Sequence, residues 1–182
     1  MKFKKLSILF CSLLALTSVM AVSAAETETV SETEAASAEE STVSGADEET
    51  EYPITIQHAY GETVIESKPE RIATVGWENQ DAPLALGIAP VGVSAANYGM
   101  VTENNLHPWT DEAFQELGVD APNVFDDVDG LDFEAISDCD PDVILASYSG
   151  LTQEDYDTLS QIAPVIPYKE NAWQTTWRDQ TI

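Results

Sequence analysis

The residues best suited to chemistry in this chain are aromatic. Trp77, Tyr98, Trp109, Tyr148, Tyr168, Trp173 and Trp177 all fall in, or shortly after, places where apolar runs end. Amides and hydroxyls accompany them in Gly76-Trp77-Glu78-Asn79, Ala95-Ala96-Asn97-Tyr98 and Ser147-Tyr148-Ser149-Gly150. Such a mixture recognises rather than reacts: rings cover bulky apolar surface while amides, hydroxyls and backbone donors orient it. For any single ring, loop packing explains its position as well as binding does. Concentrated on strand ends, the set favours a cleft for a bulky, partly apolar ligand. The candidate ligand contacts are Trp77, Glu78, Asn79, Asn97, Tyr98, Trp109, Ser147, Tyr148, Ser149, Tyr168, Trp173 and Arg178.

Bond-making chemistry lacks its usual parts. The chain carries no GxSxG elbow, no HExxH pair and no GxxxxGK[ST] loop, and no nucleophile is spaced to meet a base. His58 and His107 lie in different loops and read as surface or hydrogen-bonding histidines. Asp126, Asp127 and Asp129 before Gly130 have a calcium-loop flavour, but the spacing departs from the EF-hand pattern and no Glu closes it. A solvated acidic turn is the better reading, so no metal site and no cofactor are expected.

The elements that must hold the aromatics follow from the apolar pattern. Ile72 to Val75 is a β-branched run ending at Gly76, Glu78 to Leu86 reads as a helix stopped by Gly87, and Val91 to Val93 is a second run. This βαβ unit predicts parallel strands joined right-handedly. In open parallel sheets, ligands bind beyond the carboxyl ends of the strands, which is where Trp77 and Tyr98 fall. Further on, Trp109 to Gly118 predicts a helix, Val124-Phe125 a short strand, Asp132 to Ser137 a helix, and Asp142 to Ser147 the clearest buried strand. Thr152 caps a helix to Ala163, Val165 to Tyr168 is a further strand, and a helix begins at Thr175. Upstream, Ile54 to Gln57 and Thr63 to Ile65 flank His58-Ala59-Tyr60-Gly61 and predict a β-hairpin outside the main sheet. The fold class expected is α/β, a parallel doubly wound sheet.

The first 51 residues stand apart. Lys2, Lys4 and Lys5 precede an apolar run from Leu6 to Val22 and small residues at Ser23-Ala24-Ala25, the pattern of a secretory signal peptide over residues 1–25. Phe10 before Cys11 argues against lipidation there, and Cys139 is then the one remaining cysteine, expected to be a partly buried small hydrophobe. Residues 26–51 are acidic, of low complexity and without aromatics, so a disordered, self-repelling tether is expected before a domain over residues 52–182. All 33 acidic residues follow Ala25, where only Lys68, Arg71, Lys169 and Arg178 remain as bases. So acidic a chain repels nucleic acid and anionic membranes.

Arg71-Ile72, Leu86-Gly87-Ile88-Ala89-Pro90-Val91-Gly92-Val93, Glu134-Ala135-Ile136, Pro141-Asp142-Val143-Ile144 and Ile162-Ala163-Pro164-Val165 occur in order and at suitable spacing. Together they resemble the N-terminal lobe of the iron-siderophore and vitamin B12 class of ABC-transporter substrate-binding proteins. The resemblance covers about Tyr52 to Ile182, and the contexts of Trp77, Trp109 and Trp173 to Trp177 are most similar to its ferric-siderophore branch. It implies two α/β lobes joined by a long helix that begins at Thr175, with the second lobe missing here. It further implies an extracytoplasmic, monomeric, non-enzymatic protein that captures a ferric siderophore and delivers it to an ABC permease. By the same similarity Glu134 is the permease contact; on residues alone it is a solvated helix carboxylate. Cys139-Asp140 departs from the usual Leu-Lys before Pro-Asp and makes that surface more acidic. With few bases near the ligand side, a hydroxamate-like or mixed chelate is expected over a highly anionic one. The competing readings are cobalamin or haem binding, or a truncated surface interaction module without ligand.

Overall fold

Alternating exposure along Ile54–His58 (β1) and Gly61–Ile65 (β2) makes the first element of the computed structural model, which describes residues 50–180, an antiparallel hairpin. It pairs Ile54 with Ile65 and His58 with Gly61 and forms its own two-stranded sheet. The expected signal peptide with Cys11, and the acidic tether up to residue 49, lie outside the described residues.

The main sheet is built from short apolar runs. Its strands are Ile72–Thr74 (β3), Gly92–Ser94 (β4), Val124–Phe125 (β5), Val143–Ala146 (β6) and Val165–Pro167 (β7). All pair in parallel, in the order β5-β4-β3-β6-β7. Both faces are covered, so the strands read as continuous apolar runs rather than alternating ones. Between them run Asp81–Ala85 (α1), Pro108–Glu116 (α2), Phe133–Asp138 (α3) and Gln153–Leu159 (α4), and Trp177–Gln180 (α5) follows β7. The expected α/β class with a parallel, doubly wound sheet is what the chain adopts.

Helix ends follow local chemistry. Thr152 accepts from the Asp155 backbone N–H and Asp155 accepts in return from that of Thr152, a reciprocal capping box. Asp132 caps α3 through the Ala135 N–H. By contrast, α1 starts at Asp81 rather than Glu78, because Glu78 is left-handed at φ 54° and cannot sit in a right-handed turn.

Two clusters form the core. One gathers Ala73, Val75, Phe125, Ile136, Ile144, Leu159 and Val165; the other gathers Leu84, Val93, Leu106 and Phe114 under α1 and α2. The hairpin is tied on by hydrogen bonds rather than by strand pairing. The Tyr60 hydroxyl reaches the Leu151 carbonyl and lies 2.5 Å from the Tyr168 hydroxyl, while Ala59 N–H donates to Tyr168 O. His58, read from sequence as a surface or hydrogen-bonding histidine, is buried. Its Nδ1 accepts from Tyr60 N–H, so Nε2 donates to Thr63 Oγ1 at 2.9 Å, and Thr63 passes a bond on to Val165 O. Burial lowers its pKa, which keeps the ring neutral.

Candidate functional site

In strand order β5-β4-β3-β6-β7, the chain steps outward on one side of β3 and then crosses to β6 on the other. The loops leaving β3 and β6 therefore diverge, and a crevice opens between their carboxyl ends, the position where such sheets bind ligands. Asn79 closes its floor. Its Nδ2 donates to Val75 O at 2.7 Å and Tyr148 O at 3.0 Å, while Oδ1 accepts from Tyr148 N–H at 2.9 Å and Ser147 Oγ at 3.1 Å. Gly76, at φ 84°, lets the backbone turn there: a Cβ would sit 2.9 Å from Ser149 Cβ. Gly76 N–H donates to Ser94 Oγ, which joins the end of β4 to the same floor.

Above the floor lies a cleft of about 450 Å³ lined by Trp77, Glu78, Asp81, Ala82, Tyr148, Thr175, Trp177 and Gln180. Three strand ends thus converge: the β3–α1 turn, the segment after β6, and α5 with its approach. Glu78 and Asp81 bring carboxyl groups, and no base is among the lining residues. Both bases on this side have partners of their own, and that of Arg178 is the lining residue Trp177. Lys169 pairs with Asp179 at 3.1 Å, and the Arg178 guanidinium lies 4.9 Å from the centre of the Trp177 ring.

The sequence candidates divide by where the structure places them. Trp77, Glu78 and Tyr148 line the cleft. Trp173, half exposed, sits against Tyr148 at its edge, with ring centres 5.6 Å apart. Trp77 is the first of a chain of rings: Tyr98 is 6.2 Å away, His107 5.7 Å away, and Trp109 stacks on His107 at 4.4 Å. Tyr98 and Asn97 are exposed beyond this chain. His107 is buried behind Trp77, so of the surface or hydrogen-bonding reading the second holds: its Nδ1 donates to Met100 O at 3.2 Å. Four candidates spend their polar groups on partners within the protein. Asn79 is buried with its hydrogen-bonding capacity consumed by the strand ends. Ser149 is buried, donating to Ala146 O and accepting from Leu151 N–H. Tyr168 is buried with its hydroxyl in the hairpin latch. Ser147 spends its proton on Asn79. Each resembles a binding residue in sequence because buried and exposed amides or hydroxyls are the same residue types.

Asp81, Ala82, Thr175 and Gln180 line the cleft without having stood out in the sequence. Asp81 carries the clearest electrostatic signature. Burial, reinforced by the charge of Glu78, pushes its carboxyl up to about 6, against the opposing effects of His107 and a hydrogen bond from the Trp109 side chain. Its Oδ1 is buried without a partner. A raised acid favours the protonated folded state. Its stabilising effect is therefore complete below the unfolded value near 4 and is lost as pH rises through about 6. Asp81→Asn removes that dependence. Between pH 4 and 7, wild type loses on the order of 1–2 kcal/mol relative to the variant, a figure discounted for partial exposure. Urea midpoints of both proteins across that range check this, and parallel pH curves would contradict it.

Known proteins align with this architecture. Residues 72–182 match the model of the family described as periplasmic binding protein. The chain belongs to the periplasmic binding protein family. A curated relative, the probable siderophore-binding lipoprotein YfiY of Bacillus subtilis strain 168, is 29% identical over 172 residues, covering 90% of this chain and 43% of that protein. Among solved structures, the iron uptake ABC transporter substrate-binding protein PiaA of Streptococcus pneumoniae TIGR4 is 57% identical, with a TM-score of 0.63 over 70% of this chain and 41% of that one. The same protein in complex with ferrichrome gives 59% identity and a TM-score of 0.66 over 70% of this chain and 42% of that one. A periplasmic solute binding protein from Mycobacterium smegmatis is 32% identical, with a TM-score of 0.61 over 71% of this chain and 44% of that one. The chain thus spans less than half the length of the relatives it matches.

Proposed function

We propose that this chain is one lobe of an extracytoplasmic solute-binding protein that captures a ferric siderophore and hands it to an ABC permease. The observation that carries the reading is the cleft itself: Trp77, Tyr148 and Trp177 supply ring surface, Glu78 and Asp81 supply negative charge, and no lining residue is basic. A chelate shell that is apolar and neutral or cationic suits such walls; a polyanionic one would meet two carboxylates and no basic lining residue. Relatives described as siderophore-binding or ferrichrome-bound point the same way. The protein binds its cargo whole and performs no catalysis. Its ligand contacts are Trp77, Glu78, Tyr148, Trp173 and Trp177, with Tyr98 and Trp109 extending the rim and Arg178 behind it.

Calorimetric titration of the protein from its native cells tests the ligand class. Ferrichrome should bind, and a trianionic ferric tricatecholate should bind at least about tenfold more weakly. Preference for the tricatecholate would overturn the charge argument. A Soret shift on adding haem, or tight cobalamin binding, would move the solute elsewhere in the class.

Glu134, exposed on α3 near its start, is the proposed permease contact, where a charge pair would set register and steer encounter. Glu134→Ala should lower siderophore uptake severalfold and leave chelate affinity unchanged. Equal loss of both would make it a residue of the fold. Export through residues 1–25 completes the proposal. The lipoprotein description of the Bacillus relative weighs against an unmodified Cys11, and the intact mass of the mature protein distinguishes cleavage after Ala25 from a lipid on Cys11.

A further inference from the structure

Three of the eight residues lining the cleft, Thr175, Trp177 and Gln180, come after β7, on a segment that enters through Trp173. Trp173 has a left-handed backbone, φ 60°, which a bulky residue holds only when its surroundings enforce it. Two contacts enforce it here. Its N–H donates to Ser149 O at 3.1 Å, and the Nε1–Cε2–Cζ2 side of its indole occupies the space over Gly150. A Cβ built on Gly150 would stand 2.8 Å from Trp173 Nε1 and 2.9 Å from two ring carbons. From that seat the ring meets Tyr148 edge-on, at an interplanar angle of 76°. Gly150 itself has no left-handed φ and is exposed, so neither backbone conformation nor core packing demands glycine there. What demands it is the ring.

We propose that Gly150 is a positioning residue for the ligand: it seats Trp173, and through Trp173 it fixes both the Tyr148 ring and the Thr175–Gln180 wall of the cleft. Any side chain at position 150 displaces the indole, releases the wall and loosens the grip on the solute. Position 150 therefore sets how closely the cleft fits its chelate. This inference rests on the functional reading above for its ligand arm, and on geometry alone for its structural arm.

The test is a double-mutant cycle in the full protein, with ferrichrome as the probe. Gly150→Ala should weaken ferrichrome binding about tenfold, the effect expected of one methyl forced into a filled space. Its thermal midpoint should change little, since position 150 is exposed and has no left-handed φ, and the half-exposed Trp173 ring can swing into solvent. Trp173→Ala should lose a similar factor, and adding Gly150→Ala to it should change nothing further. A wild-type affinity in Gly150→Ala, or the same loss in both backgrounds, would overturn the proposal. The second readout needs no ligand: ring-to-ring nuclear Overhauser contacts between Tyr148 and Trp173 should vanish in Gly150→Ala. If the wild-type protein takes no ferrichrome, the functional reading fails, and this readout still decides the clasp. Retained contacts would refute it.

Discussion

Asn79→Ala should lower the stability of the protein by about 3–4 kcal/mol, read from the denaturant midpoint at constant slope. The substitution removes a buried amide that makes four hydrogen bonds and leaves Val75 O, Tyr148 O, Tyr148 N–H and the Ser147 hydroxyl without their partner. Deleting one side of a buried hydrogen bond costs the desolvation of the group left behind, on the order of 1–3 kcal/mol each, and water reaches only part of this floor. Only one orientation of the amide serves all four bonds, with Nδ2 toward the two carbonyls. Asn79→Asp is therefore a sharper probe than alanine. It places a carboxylate oxygen against Val75 O and Tyr148 O, and that repulsion raises the folded pKa of the new acid. The variant should be no more stable than Asn79→Ala at pH 7 and should recover as pH falls and the acid is protonated. A loss below about 1 kcal/mol for Asn79→Ala would mean that solvent replaces the amide at the strand ends.

Gly92→Ala is expected to cost about 2–3 kcal/mol by overpacking. Gly92 is buried in β4, and a Cβ there would stand 2.6 Å from Cys139 Sγ and 2.9 Å from the Phe125 ring. Neither neighbour can yield freely. The Cys139 thiol is buried and donates to Ala135 O at 3.2 Å, and Phe125 belongs to the main core cluster. If the sulfur is the main obstacle, Cys139→Ala should relieve much of the penalty. The two substitutions would then be less harmful together than their separate costs predict. Strict additivity would show that Phe125 or the strand backbone carries the strain. The conformational freedom of glycine is not at issue here; the position needs a residue with no side chain.

Much of the fold was legible from local pattern. Ile72 to Val75, Val143 to Ala146 and Val165 to Pro167 announce strands because both sheet faces are covered and the strands need no polar alternation. Thr152 announces α4 because its capping chemistry is completed within three residues. The errors are local as well: α1 lost a turn to the left-handed Glu78, and α4 ends at Leu159 where a longer helix to Ala163 was expected.

The sequence by itself determined the class of sheet, the order of its elements and the edge on which aromatic residues gather, because these depend on periodicity and turn chemistry within a few residues. Only the tertiary structure decided which of those residues line the cleft. Asn79 and Tyr148 are 69 residues apart, yet their hydrogen bond turns a candidate ligand contact into the floor of the cleft. Asp81, Thr175 and Gln180 have no local signature, and they become wall residues because α5 returns to the end of β3. Hydrogen-bonding capacity is encoded in the residue type, whereas the partner that consumes it is chosen by strand order, and strand order is written in contacts between segments far apart along the chain.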